Sequence, residues 1–248
     1  MENDLRTGLV IIPTFNEKEN IQRILEAVMA LDPLFDVLVV DDGSPDGTAD
    51  VVRQVMATYP ERIYLKERAG KSGLGTAYIE GFRWGLERHY DLFFEMDADF
   101  SHNPADLLRL RQPVADGEAD VTVGSRYIKG GQLENWPADR IMLSRGASFY
   151  VQMITWMPVH DPTAGFVCYH RRVLEAIDLN RIRFVGYAFQ IEMKFASWTL
   201  GFRIKEVPIL FADRIEGVSK MSKAIVREAI GGVIEMKWRS LFQSYQRH

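Results

Sequence analysis

Val37-Leu38-Val39-Val40-Asp41-Asp42-Gly43-Ser44-Pro45-Asp46-Gly47-Thr48 changes character midway. Four successive apolar residues suit a strand covered on both faces of a sheet. The acidic, glycine-containing segment that follows turns the chain sharply. Ser44 is expected to cap the next helix, with Pro45 in its first position, where no amide donor is needed. The same grammar recurs on either side, in the apolar runs Leu9 to Ile12, Ile63 to Leu65, Leu92 to Phe94 and Val121 to Val123. Between the first two runs Ile21, Ile24, Leu25 and Val28 fall at helical spacing. This alternation predicts an α/β fold: a mostly parallel sheet with helices on both faces. Sheets of this kind bind ligands at the carboxyl ends of their strands.

The second half is less regular. It reads as a loop from Gly130 to Pro137, a helix from Asp139 to Trp156, a short strand at Phe166 to Tyr169 and a helix from Ala188 to Leu200. Val207 to Phe211 reads as one more strand. A last helix from Ser222 is expected to align Ile230, Ile234, Trp238, Leu241, Phe242 and Tyr245 on one face, with Arg239, Gln243 and Arg247 elsewhere. The organisation expected is one domain over 1–221, followed at 222–248 by an amphipathic helix that packs on that domain or on a membrane surface.

Composition removes several classes of function. Thirty Lys and Arg against 34 Asp and Glu leave a formal charge of −4, so no cationic field gathers nucleic acid. With 47% hydrophobic and 26% charged residues the chain can form a sizeable core. One cysteine, Cys168, makes neither an internal disulfide nor a Cys-rich zinc site and reads as a small buried apolar group in a cytosolic protein. Met1 to Thr7 lacks the basic start and apolar run of a signal peptide. The longest apolar stretch, Gly146 to Val159, is too short to cross a bilayer, which leaves peripheral contact with a membrane.

Chemistry is carried by Met96-Asp97-Ala98-Asp99 at the end of the fourth apolar run. Two carboxylates two residues apart point the same way from an extended segment. Mg²⁺ or Mn²⁺ is usually held by one or two such carboxylates together with substrate phosphate oxygens, so a diphosphate-bearing substrate is implied. Taken alone the pattern is a solvated turn; Asp41 and Asp42, ending the second run in the same manner, reverse that reading. His102 sits in Ser101-His102-Asn103-Pro104 and reads as part of a turn before a helix rather than as a ligand.

Val10-Ile11-Ile12-Pro13-Thr14-Phe15-Asn16-Glu17, then the Asp41-Asp42 loop, then Asp97-Ala98-Asp99, in this order, resembles the inverting glycosyltransferases of family 2, with their GT-A type nucleotide-diphosphosugar transferase fold. Gly124-Ser125-Arg126-Tyr127, Glu134-Asn135-Trp136-Pro137, Asp161-Pro162-Thr163-Ala164-Gly165-Phe166, Gly186 to Glu192, and Asp213-Arg214 with Ser219-Lys220-Met221 resemble the dolichol- or polyprenol-phosphate mannose synthases. The resemblance implies that Pro13, Phe15, Glu17, Val40 and Asp42 hold the nucleoside. It implies that Asp97, Ala98 and Asp99 hold the diphosphate and its metal, with Ser101 as a further ligand where some relatives have Gln. Arg126, Arg214 and Lys220 match cations around the phosphates, and Arg140 with Ser144 matches the acceptor side.

The activity that the resemblance implies is mannose transfer from GDP-mannose to a polyprenyl (dolichyl-type) phosphate, with a UDP-sugar such as UDP-glucose as the alternative donor. The cofactor implied is Mg²⁺ or Mn²⁺. The partners implied are the nucleotide sugar, the lipid phosphate, the cytoplasmic face of a membrane and a small membrane-anchoring subunit. A lipid phosphate, with a second pKa near 6, is already an ionised nucleophile near neutral pH. The absence of an evident general base in the later motifs is then expected, and Asp161 reads as the structural partner of a nearby Arg. Arg214 to Met221, which includes Gly217, is expected to close over bound donor.

Overall fold

Seven strands form the central sheet of the computed structural model, which describes residues 8–31, 34–186, 188–212 and 223–247, the side chains of 223–230 excepted. In chain order the elements are β1 (Gly8–Thr14), α1 (Lys18–Met29), β2 (Phe35–Asp41), α2 (Thr48–Thr58), β3 (Ile63–Glu67), α3 (Leu74–Glu87), β4 (Leu92–Glu95) and α4 (Asp106–Ala115). Next come β5 (Val121–Ser125), β6 (Gln132–Glu134), α5 (Ala138–Thr155), β7 (Val167–His170), α6 (Arg171–Ala176), α7 (Ala188–Thr199), β8 (Ile204–Pro208), β9 (Leu210–Ala212) and α8 (Lys223–Ser240). The sheet order is β3-β2-β1-β4-β7-β5-β8, parallel except for β7, and β6 pairs with β9 in a separate ribbon.

Alternate strand residues feed two cores, as the period of two in a pleated strand requires. Leu9, Ile11, Leu38, Val40 and Phe93 face one side with α3 and α7, whereas Val10, Ile12, Val37, Val39 and Phe94 face the other with α1, α2 and α4. Helix α3 lies close on its side because Gly81 and Gly85 meet the strands. A Cβ at Gly85 would stand 2.5 Å from the Phe93 ring and 2.6 Å from Leu9.

The order reverses at β1, whose neighbours β2 and β4 leave in opposite directions, which places the ligand crevice beyond the carboxyl ends of β1, β2 and β4. Pairing of β1 with β4 ends at Ile11↔Glu95. Pro13, lacking an N–H, therefore costs no ladder bond on that side.

Four expectations need correction. Ser44 does not cap α2: its N–H and hydroxyl both donate to Asp41, at 2.8 and 2.6 Å. Helix α2 begins instead at Thr48, whose N–H donates to Asp46 Oδ1 at 3.0 Å, and Pro45 lies in the turn before it. The stretch Val207 to Phe211 is two strands, because β8 ends at Pro208 and β9 begins at Leu210 to pair with β6 inside the expected loop. The apolar face drawn for the last helix also divides. Ile234 and Trp238 are exposed, while Val233 and Met236 face the domain.

The helix ends at Ser240, so Leu241 and Phe242 come after it. Tyr245 turns inward, with its hydroxyl 3.0 Å from Glu192 Oε1. Arg239, placed on the polar face by periodicity, donates to the same fully buried carboxylate at 2.7 Å.

Cys168 is fully buried in β7, and burial pushes its thiol pKa well up. The native protein is expected to leave a thiol-specific reagent unreacted until denaturant is added. Labelling of the folded protein at the rate of a small free thiol would contradict this placement.

Candidate functional site

Three loops meet at the crevice beyond β1, β2 and β4, and hydrogen bonds tie the first two to each other. After β1, the N–H groups of Asn16, Glu17 and Lys18 donate to Ser44 Oγ, Thr48 Oγ1 and Asp46 Oδ2 at 2.9, 3.0 and 3.2 Å, so the first loop is laid along the second. Asp41 is the inner post of that turn, accepting from Thr14 Oγ1 at 2.8 Å as well as from Ser44. Asp42 faces the other way: Arg68 Nε donates to its Oδ1 at 2.6 Å, and Arg68 Nη1 donates to Thr76 Oγ1 at 2.7 Å. Pro13, Phe15, Glu17 and Asp42 thus gather at one edge, with Lys71 Nζ 5.1 Å from the Phe15 ring centroid. Val40 is fully buried, so its side chain belongs to the core.

The third loop comes after β4. His102 is buried and stacks on Phe166, ring centroids 4.7 Å apart, and its Nδ1 accepts from the Asp97 N–H at 3.1 Å. Burial pushes its pKa down to about 4, so near neutral pH it is an uncharged acceptor that braces the turn. Its place in a turn agrees with the sequence reading. Asp99 is buried, and its Oδ1 accepts from the N–H and hydroxyl of Ser101 at 3.1 and 2.5 Å. The Asp97 side chain is 36% exposed at the crevice. Phe100, between Asp99 and Ser101, adopts φ 59°, a left-handed conformation that costs a large residue free energy and occurs here in the tightest part of the loop.

Two carboxylates and a hydroxyl form the donor set, and no group of three His, Cys, Asp or Glu side chains able to hold a metal exists among the described residues. That set fits a hard divalent cation that takes its remaining ligands from water and substrate phosphate. It does not fit structural zinc.

Beside this loop stands Arg126, buried and gripped by Asp161. Arg126 Nε and Nη2 donate to Asp161 Oδ2 and Oδ1 at 2.7 and 2.6 Å, the Arg126 N–H donates to Oδ2 at 3.0 Å, and Nη2 also reaches Thr163 Oγ1 at 2.9 Å. Burial works against the charge, but the Asp161 carboxylate outweighs it and holds the guanidinium pKa above its ordinary value. The guanidinium is thereby held fixed in direction beside the crevice loop. Asp161 is therefore the partner of an Arg, as its sequence context suggested. Glu206, absent from the sequence reading, anchors the loop by accepting from the N–H groups of His160 and Asp161 at 2.9 and 3.0 Å.

Arg140 lies over the Trp136 ring at 3.8 Å, and Ser144 Oγ accepts from the Tyr127 hydroxyl at 2.6 Å. Arg214 and Lys220, with the whole Arg214 to Met221 segment, lie outside the described residues. Under the site, Lys194 is fully buried and donates to the Ala164 carbonyl at 2.6 Å and the Gln190 carbonyl at 3.0 Å. Burial pulls its pKa down to about 8, and burial pushes that of Glu95 up to about 8. The sequence reading missed this pair, and it missed Arg68. Arg68 was within reach of the argument that selected Asp42 and Asp97, since it lies directly past the carboxyl end of β3.

On the outside, α5 exposes Met142, Leu143, Phe149, Met153 and Trp156, and α8 with the turn after it exposes Ile234, Trp238, Leu241 and Phe242. The two helices touch, and Lys237 lies 4.6 Å from the Trp156 ring centroid. Among the described residues no helix is long and apolar enough to cross a membrane.

Comparison with known proteins matches residues 9–178 to the model of glycosyl transferase family 2. The chain is 47% identical over 227 residues to polyprenol monophosphomannose synthase of Mycolicibacterium smegmatis, covering 92% of this chain and 85% of that one. It is 46% identical over 237 residues to undecaprenyl-phosphate mannosyltransferase of Micrococcus luteus, covering 94% and 96%. A dolichol-phosphate mannosyltransferase of Pyrococcus furiosus is 34% identical over 234 residues, covering 92% and 63%. Among solved structures, glucosyl-3-phosphoglycerate synthase of Mycobacterium tuberculosis with Mn²⁺, UDP and glucosyl-3-phosphoglycerate shares the fold at a TM-score of 0.66 and 17% identity, over 93% of this chain and 78% of that one. With the sheet order, the crevice at the reversal and the family match in agreement, the chain belongs to glycosyl transferase family 2.

Proposed function

We propose that this enzyme transfers mannose from GDP-mannose to a polyprenyl phosphate with inversion, giving polyprenyl β-D-mannosyl phosphate. The observation that carries the reading is the near full-length similarity to two polyprenyl-phosphate mannosyltransferases, which takes in the acceptor-side segments around Arg126, Arg140 and Asp161 as well as the nucleotide half.

In this reading Pro13, Phe15, Glu17, Asp42 and the Val40 backbone receive the nucleoside, and Arg68 holds Asp42 in place. Asp97 and Asp99, with the Ser101 hydroxyl, would hold Mg²⁺ or Mn²⁺ on the donor diphosphate beside Ala98. The cation, when bound, supplies positive charge where the leaving diphosphate gains negative charge. Arg126, Arg140 and Ser144 fix the acceptor phosphate. One of its oxygens bonds to the anomeric carbon as the bond from that carbon to the diphosphate oxygen breaks and its electron pair leaves with the nucleoside diphosphate. No proton has to be removed, so the side chains need only position the two substrates. Arg214 and Lys220 belong in this scheme to the donor phosphates.

The lipid must reach the site from a membrane. We assign peripheral docking, on the cytoplasmic face, to the apolar side chains that α5 and α8 expose, with α8 acting as an extension of a 1–221 domain. Incubating the purified chain and Mg²⁺ with polyprenyl phosphate and either labelled GDP-mannose or labelled UDP-glucose tests the activity. Label is expected in the organic phase from GDP-mannose. Label from UDP-glucose alone would overturn the donor, and none from either would overturn the reaction.

A further inference from the structure

The cations of the acceptor side are joined by aromatic rings. Trp136 has Arg140 at 3.8 Å from its centroid and Arg126 at 5.7 Å. Tyr127 has Arg126 at 5.2 Å and Arg145 at 5.5 Å. The row therefore runs Arg140, Trp136, Arg126, Tyr127, Arg145. Each ring offers its negative face to the guanidiniums beside it, which offsets part of their mutual repulsion. The Tyr127 hydroxyl, donating to Ser144 Oγ, ties the row to α5.

Arg126, Arg140 and Ser144 are already placed at the acceptor phosphate; Arg145 is not. It stands at the far end of the row, where the surface opens into a recess of about 310 Å³ lined by Tyr127, Arg145, Ser148, Phe149, Gln152 and His160. Residues 145, 148, 149 and 152 occupy one face of α5, as their spacing dictates. The polar groups there have capacity to spare. Arg145 makes no ion pair with a carboxylate among the described residues. Ser148 is 2% exposed, and its hydroxyl has no hydrogen-bond partner among the described residues. The carboxylate nearest His160 is Glu206, which accepts from the His160 N–H, approaches its Nδ1 at 2.7 Å and accepts from the Asp161 N–H. That negative charge is thus already engaged. Phe149, on the rim, is 67% exposed and continuous along α5 with Met142, Met153 and Trp156.

A guanidinium fork, a buried hydroxyl without a partner and an amide, at the edge of an exposed apolar helix face, suit an anion carried on a hydrocarbon chain. We infer that this recess is a docking subsite for the phosphate end of the lipid acceptor, occupied before the phosphate moves along the row to Arg126, Arg140 and Ser144. The inference rests on the polyprenyl-phosphate reading. It adds Arg145 and Ser148 as residues that capture the acceptor without taking part in bond making. The row gives the phosphate a path on which one guanidinium is replaced by the next.

The test uses the full chain and Arg145→Gln, Arg145→Lys and Ser148→Ala. Arg145 is exposed, so the fold is not at stake in its substitutions. With polyprenyl phosphate in phosphatidylcholine vesicles, Arg145→Gln is expected to raise the KM for the lipid about tenfold, the scale of one charge-assisted hydrogen bond. The kcat and the KM for the sugar nucleotide stay put. Arg145→Lys recovers part of the loss, and Ser148→Ala gives a smaller rise in the same constant.

Vesicle flotation without donor gives a second readout that needs no turnover. Polyprenyl phosphate added to phosphatidylcholine vesicles increases binding of the wild type, and Arg145→Gln loses that increase. A wild type that gains binding but transfers no sugar would fault the proposed reaction and leave the subsite standing. An unchanged lipid KM and unchanged flotation in Arg145→Gln would overturn the subsite. So would a loss of binding confined to vesicles of phosphatidylglycerol without polyprenyl phosphate, which would assign Arg145 to bulk anionic phospholipid.

Discussion

Asp97→Asn is expected to lower glycolipid formation about 10²–10³-fold while leaving the thermal midpoint within experimental scatter. The rate loss is the scale measured when one preorganised electrostatic group facing developing charge is removed, and it corresponds to about 3–4 kcal/mol. The fold is spared because Asn keeps the shape of the side chain, which is 36% exposed, and keeps the backbone bond in which the Asp97 N–H donates to His102 Nδ1. Asn keeps the shape and the N–H while losing the charge that a divalent cation requires. Steady-state rates across a range of Mg²⁺ and Mn²⁺ concentrations, with a chelator control, measure the effect. A variant at wild-type rate in an assay that ignores chelator would remove the metal from the scheme. Asp99→Asn is a less clean probe, since Asp99 also orders the turn through Ser101.

Asp161→Ala is expected to be the most destabilising single change at the site, by about 3–5 kcal/mol, because it leaves the Arg126 guanidinium buried without its counter-charge. Asp161 is fully buried and Arg126 only 8% exposed, so water cannot replace in place the three hydrogen bonds that Arg126 loses. The double variant Asp161→Ala with Arg126→Met should recover part of the stability, since it removes the stranded charge, while acceptor transfer stays lost. Urea unfolding of the two single variants and the double variant measures the coupling. A loss below about 1 kcal/mol in Asp161→Ala would show that the pair is solvated in solution and that Arg126 is not fixed in direction.

The strands were legible because buried parallel strands announce themselves as uninterrupted apolar runs, and β1 to β5 contain the runs that the sequence shows. The acidic loops were legible from their place after those runs. Local competition was harder to read. Ser44 is a good helix cap in isolation, but Asp41, three residues before it, takes both its donors, and α2 starts from Gly47 with Asp46 accepting from the Thr48 N–H. Tyr245 and Arg239 were misplaced because periodicity assumes that a helix continues and that a charge faces water. Glu192, buried one helix away, supplies the acceptor that draws both inward. The partner of His160, and the row from Arg140 to Arg145, are contacts between separate segments of the chain, which spacing alone does not encode.

The single reversed strand has a consequence for how such a protein can diversify. Parallel strands contribute to the working edge the loops by which the chain leaves them. Running the opposite way, β7 contributes the loop by which the chain arrives, 157–166, and with it Asp161 and Thr163. Lengthening or shortening that approach would change the surroundings of Arg126 through Asp161 and Thr163, and it would also reach the turn after β4, because Phe166 at its end carries the ring on which His102 stacks. One stretch of chain thereby bears on both the Arg126 guanidinium and the brace of the Asp97 turn, so a change in its length is felt at two places at once.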